Sequence, residues 1–276
     1  MLQLTTTDGI LCPMISLEDS ILHSLDAADA RLLPHLPYIL QDLDELGSDP
    51  AIVSDILHRH CNRPSECYVL DLGCGKGAVS VRLAAELGCR CHGIDALPAF
   101  VEAAASAARA RGVAHLCGFE TGDARTVVAS PPDYDAIVLG SVGPIFSDYE
   151  QTLLTLLPRL RAGGIIILDD CYRVEETDSS AHSGLSRSAL LRQIHAAGME
   201  VRDEVLSDAR TIRATNALMY AALLPRCLEL MDKYPDDREL FEQYLLRQRE
   251  ENHALENDLV CATLVLGVRT KLPAEH

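Results

Sequence analysis

The apolar positions of this chain change their period along its length. Between residues 16 and 62 they recur at helical spacing: Ile21, Leu22 and Leu25, then Leu36, Leu40, Leu43 and Leu46, then Ile52, Ile56 and Leu57. Pro34, Pro37 and the Gly47–Pro50 stretch cut this region into short helices. Residues 1–15 show no such period and read as irregular. After the connection Asn62-Arg63-Pro64-Ser65, short apolar runs alternate with helical segments. The runs predict strands near 67–72, 90–95, 115–121, 136–139 and 165–168. Helices are predicted near 76–87, from Pro98 to before Gly112, and near 148–160, the last ending in Arg161-Ala162-Gly163-Gly164. A turn, Ser130-Pro131-Pro132-Asp133, leads into the fourth strand.

Such alternation implies a parallel sheet with helices on both faces. The fifth run, Ile165-Ile166-Ile167-Leu168, is apolar throughout, as a strand covered on both faces should be. Residues 171–185 are polar and read as a surface loop. A helix near 186–197, a strand near 199–206 and helices over 208–232 and 236–256 follow. The last helix shows a capping box, Asp236-x-x-Glu239, and an apolar stripe at Leu240, Phe241, Tyr244 and Leu245. A final strand spans Val260 to Val268.

The candidate chemistry lies where the first strand meets its helix. Val69-Leu70-Asp71-Leu72-Gly73-Cys74-Gly75-Lys76-Gly77 reads as a strand running into a glycine-rich turn that opens a helix. Glycine lets the backbone take positive φ and pass close to a ligand. The helix that follows presents its N–H groups and the positive end of its dipole. Asp95 closes the second strand, about 20 residues on, where a ribose-binding carboxylate sits in a nucleotide-binding βαβ unit. The alternative is a strand-end polar residue or a cap for the helix that begins at Pro98, and the spacing from the glycine turn favours the ribose.

The pattern Asp-x-Gly-x-Gly-x-Gly resembles motif I of the class I S-adenosylmethionine-dependent methyltransferases, well over residues 66–170 and loosely beyond. Gly73-x-Gly75-x-x-Ala78 also satisfies the dinucleotide fingerprint. Asp71 separates the two, because it resembles the methyltransferase acid that orders the turn and serves the methionine end of the cofactor. The resemblance implies a cofactor site made of Asp71, Gly73, Cys74, Gly75, Gly77, Asp95, Ala96, Asp123, Ala124, Gly140 and Ser141. In it Asp95 bridges the ribose hydroxyls and Ala96 lies beside the adenine. Asp123 accepts from the adenine amino group, and Gly140-Ser141 faces the methionine portion. Asp123 could also simply cap a short helix, and Gly140–Pro144 could be an ordinary turn. Catechol-type O-methyltransferases hold Asp-Asn where this chain has Asp169-Asp170, and use it for magnesium. With Gly-Ser ending the fourth strand, oxygen ligands are too few here, so no metal is expected. Asp170 and Tyr172 are then the candidates to orient or deprotonate a substrate.

Composition narrows the partner. The net charge of −17 argues against a phosphate-backbone partner, and the fourth strand lacks the Asn/Asp-Pro-Pro-Tyr/Phe of many nucleic-acid amino-methyltransferases. No apolar run reaches membrane-spanning length and no signal peptide is evident, so a cytoplasmic protein is expected. The ten cysteines form no C-x-x-C pair and read as free buried thiols, and His58-Arg59-His60-Cys61 reads as ordinary helix, not zinc site.

The expected fold is α/β: a Rossmann-like, seven-stranded, mostly parallel sheet with an antiparallel last strand and helical caps. The expected division is an N-terminal helical cap (1–62), a cofactor-binding core (63–207), a helical insertion or lid (208–258) and the last strand and tail (259–276). The function this implies is S-adenosylmethionine-dependent methyl transfer to a small molecule, with neither nucleic acid nor membrane as partner. A nicotinamide-dependent oxidoreductase and a non-catalytic cofactor-binding regulator are the alternatives. The first would want a Tyr-x-x-x-Lys, which is absent.

Overall fold

The computed structural model describes residues 16–127, 133–174 and 184–269. The expectations for 1–15, for most of the 130–133 turn, for most of the 171–185 loop and for the tail beyond 269 lie outside the described residues.

Three helices precede the sheet: α1 (Leu17–Ser24), α2 (Leu36–Ile39) and α3 (Pro50–His60). Ser16 and Asp49 cap α1 and α3 through their side chains, and Pro50 occupies the first turn of α3. Strands and helices then alternate: β1 (Tyr68–Leu72), α4 (Ala78–Leu87), β2 (Arg90–Asp95), α5 (Pro98–Ala110), β3 (Cys117–Thr121), α6 (Ala124–Val127), β4 (Tyr134–Gly140), α7 (Tyr149–Leu156), β5 (Leu160–Tyr172), α8 (Arg187–Ala196) and β6 (Met199–Leu206). Two long helices, α9 (Ala209–Lys233) and α10 (Arg238–Asn257), come before β7 (Val260–Val268). None of the described helices is long and apolar enough to cross a membrane.

The seven strands form one sheet in the order β3-β2-β1-β4-β5-β7-β6. β7 runs antiparallel to both of its neighbours, and the β1–β2, β1–β4, β2–β3 and β4–β5 pairs are parallel. The order reverses at β1, so the carboxyl ends of β1, β2 and β4 border the crevice where open α/β sheets bind ligands. One face of the sheet buries Leu70, Ile137, Ile166 and Leu264 beneath α7 and α8. The other buries Val69, Val138, Ile167 and Val265 beneath α3 and α4. A separate core joins α1 and α2 to α9 and α10: Leu36 and Ile39 meet Leu223, Cys227, Phe241 and Tyr244, with Phe100 of α5 beside them. α1 and α2 therefore share one apolar interior with the helices inserted before β7, whereas α3 belongs to the sheet's own core.

Several local expectations are corrected. Arg161-Ala162-Gly163-Gly164 lies within β5, which starts at Leu160, and not at a helix end. Gly163 takes φ +82°, and a Cβ on Gly164 would meet the Asp135 carbonyl oxygen at 2.8 Å. The pairing with β4 shifts register there, from Tyr134 opposite Leu160 to Ala136 opposite Ile165. The Asp236 capping box does not form. A 3₁₀ turn over Pro235–Asp237 moves the start of α10, and its N-cap, Asp237, makes no side-chain cap bond. Of the nine cysteines among the described residues four are bridged, Cys61 with Cys67 and Cys171 with Cys261. Cys171 and Cys261 sit directly opposite each other on β5 and β7, a pairing that only the antiparallel register creates. Cys74, Cys89, Cys91, Cys117 and Cys227 are free. His60 Nε2 lies 3.0 Å from Asp203 Oδ2, and Arg59 pairs with the same carboxylate.

Candidate cofactor and acceptor cleft

A cleft opens at the carboxyl ends of β1, β2, β3 and β4, roofed by α1 and by the chain from Asp44 to Ser48. Of the predicted site residues, Asp71, Gly73, Cys74, Gly75, Asp95, Ala96, Asp123, Ala124, Gly140 and Ser141 line it. Gly77, Asp170 and Tyr172 do not.

The glycine turn is held against β2. The N–H groups of Gly73 and Cys74 both donate to the Ile94 carbonyl, at 2.8 and 3.0 Å. Gly73 and Gly75 take φ +68° and +52°, the left-handed region that glycine enters without strain. A Cβ on Gly73 would stand 2.3 Å from Val142 Cγ1, so the close approach of the β4 loop also requires glycine. Gly77 has a different reason to be glycine. At φ +79° its Cβ would meet Ala104 of α5 at 2.8 Å and the Phe119 ring at 3.1 Å, so it fits α4 against its neighbours.

Asp71 is buried at the end of β1 and accepts from Ser80 Oγ at 2.7 Å. Burial raises its carboxyl to about 6; the Ser80 hydrogen bonds pull it down and the Asp95 charge pushes it further up. Asp95 accepts from the Gly75 N–H at 2.8 Å and from the Leu97 N–H at 2.9 Å, one on each oxygen. It is raised by burial, against backbone bonds that hold it down. Each Asp95 oxygen keeps a lone-pair direction for a further donor. Asp123 is engaged at close range by Arg125, whose guanidinium spans both oxygens at 2.8 to 3.0 Å. Burial acts to raise Asp123, but the Arg125 bonds and charge outweigh it and leave it low. Its Oδ1 also accepts from the Arg125 N–H at 2.9 Å, the helix-capping role.

At the other end Ser141 holds φ +55°, uncommon for a residue with a side chain, and its N–H donates to the Asp169 carbonyl at 2.9 Å. Val142 and Ile145 supply apolar wall there, facing Leu17 and Ile21 of α1. Tyr172 points elsewhere: its hydroxyl donates to Glu204 Oε1 at 2.7 Å, beside the Arg187–Glu204 ion pair. Asp170 stands beyond the wall, with one oxygen accepting from the Cys171 N–H at 2.6 Å and the His23 charge acting on it.

Four contributors escaped the sequence reading. Arg125 follows Asp123 by two residues, and that spacing was its one available signal. Lys76 sits inside the glycine turn and donates from Nζ to the Leu40 and Gln41 carbonyls at 2.7 and 2.9 Å, tying the turn to the end of α2. His23 and Ser48 reach the cleft from the helical cap, and no local pattern marks them. Among the described residues no group of three His, Cys, Asp or Glu side chains is arranged to hold a metal ion.

Known proteins resemble this chain in sequence and in shape. Residues 64–196 match the family model of a methyltransferase domain. Over 123 residues the chain is 31% identical to norajmaline N-methyltransferase of Rauvolfia serpentina; the match covers 44% of this chain but only 38% of that enzyme. Its fold superimposes on an S-adenosylmethionine-dependent methyltransferase of Geobacter sulfurreducens, solved with S-adenosyl-L-homocysteine, with a TM-score of 0.71. That likeness covers 86% of this chain and 99% of the other at 23% identity. The [4+2]-cyclase SpnF superimposes with a TM-score of 0.66 at 20% identity, over 91% of this chain and 95% of the cyclase. The sheet order, the antiparallel β7 and these superpositions make the fold the Rossmann-like methyltransferase fold.

Proposed function

We propose that this chain, which carries a methyltransferase domain over residues 64–196, transfers a methyl group from S-adenosylmethionine to a small-molecule acceptor. The observation that carries the reading is the convergence of Asp71, the left-handed glycines Gly73 and Gly75, and the half-buried Asp95 on one cleft wall. The residues present suit that cofactor. Asp95 has acceptor capacity for ribose hydroxyls, Asp71 is an anion for the amino end, and the glycine turn leaves room for backbone approach. Asp123 with Ala124 would border the adenine, and Gly140 with Ser141 the methionine portion. The cofactor supplies an activated methyl on a sulfonium, so the protein's work is to bind, align and exclude water. Arg125 already engages Asp123, so an adenine amino group there shares that carboxylate with the guanidinium.

Of the expected 1–62 cap, we assign the described residues 16–49, together with 208–258, to a cap over the 63–207 core; α3 packs on the sheet itself, and 259–269 return to it. The shared core of α1, α2, α9 and α10 supports that division. A cap of this kind suits an acceptor small enough to be enclosed. A cytoplasmic location belongs to the same reading. The Cys61–Cys67 and Cys171–Cys261 bridges argue the other way, and a thiol count on the native protein tests the point.

Calorimetric titration with S-adenosylmethionine, S-adenosylhomocysteine and NAD tests the reading. Micromolar binding of the two adenosyl sulfur compounds without NAD is expected. Binding of NAD alone would return the glycine turn to the dinucleotide class.

A further inference from the structure

The roof of the cleft, α1 and residues 40–48, meets the sheet mainly through close packing. Leu46 Cδ1 lies 3.4 Å from where a Cβ on Gly75 would stand, Gly47 packs on Ser141, and Ser48 packs on Gly140. Ser48 Oγ comes near Asp169 but makes no well-formed hydrogen bond. The long polar side chains of this region turn towards the cap instead. Tyr38 donates to Glu229 of α9, and Asp42 pairs with Arg226 of α9 at 2.6 Å. Between described residues, one side chain alone carries well-formed hydrogen bonds from the sheet and its flanking helices to α1, α2 or residues 40–48. That side chain is Lys76, whose Nζ donates to the Leu40 and Gln41 carbonyls at 2.7 and 2.9 Å.

Lys76 stands between Gly75 and Gly77, in the turn whose Gly75 N–H donates to Asp95 at 2.8 Å. The polar tether of the roof is therefore rooted in the cofactor turn itself. Holding a lysine there has a cost. Burial lowers its pKa, against the charges of Asp44 and Asp42, and the long stem gives up rotamer freedom. Two charge-assisted hydrogen bonds offset that cost. Asp44, Leu46, Gly47 and Ser48 line the same cleft as Gly75 and Asp95, so loosening that segment opens the cleft.

We propose that Lys76 is a positioning residue, which holds the roof over a bound S-adenosyl ligand and so sets how slowly that ligand leaves. The inference rests on the methyl-transfer reading. Lys76 acts through the Leu40 and Gln41 carbonyls and not on the reacting atoms. Its effect should fall on release more than on association, because the tether is already made before any ligand arrives.

The test pairs hydrogen–deuterium exchange, read by mass spectrometry on peptides spanning residues 40–48, with the rate of S-adenosylhomocysteine release from immobilised protein. Lys76→Met keeps the aliphatic stem and removes the donors. Without ligand it should speed exchange at residues 40–48 by about tenfold, the scale of one charge-assisted hydrogen bond, and it should speed release by about as much. The association rate should stay within about threefold. Lys76→Arg restores charged donors and should return both exchange and release to within about threefold of the wild type. Arg226→Gln breaks a tie inside the cap and should leave release within about threefold. A cooperative melt certifies that each variant folds. Unchanged exchange at residues 40–48 in Lys76→Met overturns the proposal. So does faster release without faster exchange, which would put Lys76 on the ligand itself, or a Lys76→Arg protein that behaves like Lys76→Met. If Lys76→Met does not fold, the wild type decides: saturation with S-adenosylhomocysteine should slow exchange at residues 40–48 by about threefold or more, and no change overturns the proposal. A wild type that binds no S-adenosylhomocysteine overturns the methyl-transfer reading, and this inference with it.

Discussion

Gly77→Ala should destabilise the protein without weakening its cofactor site. The backbone there has φ +79°, where a side chain costs about 1–2 kcal/mol. The new Cβ would stand 2.8 Å from Ala104 Cβ and 3.2 Å from Ala104 Cα on α5. A methyl group and a helix backbone cannot rotate aside, so α4 and α5 must separate, an overpacking cost of about 1–3 kcal/mol. The two terms together come to about 2–5 kcal/mol. At about 2–4 °C per kcal/mol for a chain of this size, the melting temperature should drop by roughly 4–20 °C. Gly75→Ala is the matched control. Its φ is +52°, but the nearest atom to its Cβ is Leu46 Cδ1 at 3.4 Å, the end of a flexible side chain. It should lose only the backbone cost, about 1–2 kcal/mol, while altering the cleft wall itself. The assay is differential scanning fluorimetry with an added dye, since the chain has no tryptophan, paired with S-adenosylhomocysteine titration at 20 °C. A Gly77→Ala protein that melts within about 2 °C of the wild type would refute the packing argument. One that melts normally but loses cofactor affinity would place Gly77 at the ligand after all.

Asp95→Ala should weaken S-adenosylhomocysteine binding by about 1–3 kcal/mol, roughly 5- to 150-fold, by leaving a ribose pair and the Gly75 N–H without an acceptor; unchanged calorimetric affinity would sink its assignment. Asp71 should make stability depend on pH. Its folded carboxyl is raised from 3.8 to about 6, so its contribution is fully present below about 4 and is lost as pH rises through 6. Asp71→Asn should therefore gain on the wild type by up to about 3 kcal/mol between pH 4 and 7 in urea unfolding, and a pH-independent difference would contradict the burial argument. Tyr172→Phe removes one hydrogen bond to Glu204 and should cost about 0.5–1.5 kcal/mol of stability with cofactor affinity intact; lost affinity would bring Tyr172 back to the site.

What the chain disclosed in sequence is what repeats along it. The switch from helical period to short apolar runs located the strands of the sheet, most clearly the central β1, β4 and β5, whose middle residues are buried on both faces. The glycine turn was legible because positive φ and close approach both exclude side chains. Features that depend on two distant segments meeting were not. Arg161–Gly164 has the composition of a helix stop, and only the irregular pairing with β4 turns it into strand. The Asp236 box was pre-empted by a 3₁₀ turn at Pro235. Cys171 and Cys261 are far apart in sequence and face each other only because β7 runs antiparallel to β5. Within the site, Asp71 and Asp95 end strands and follow from local pattern. Ser48 and His23 come from the cap, whose placement no period encodes.

That asymmetry has a structural cause. The segment from Leu40 to Ser48 runs along the cleft as a strap, tied at one end by a long side chain and packed closely on small residues at the other. Lys76 fixes the Leu40 and Gln41 carbonyls to the glycine turn. Leu46 lies over Gly75, Gly47 against Ser141, and Ser48 against Gly140, where an added Cβ would come within 2.6 Å of Ser48 Oγ. Gly140 therefore serves the strap as much as any ligand. The end of the cleft at β2 and β3 is built by the sheet and its turns, so its chemistry is written in contiguous motifs. The end at β4 and β5 is built jointly with the cap, so its chemistry is fixed by tertiary contact. A chain can keep the first end while the strap and α1 remodel the second, which is why the motifs indicate a cofactor and leave the acceptor unnamed.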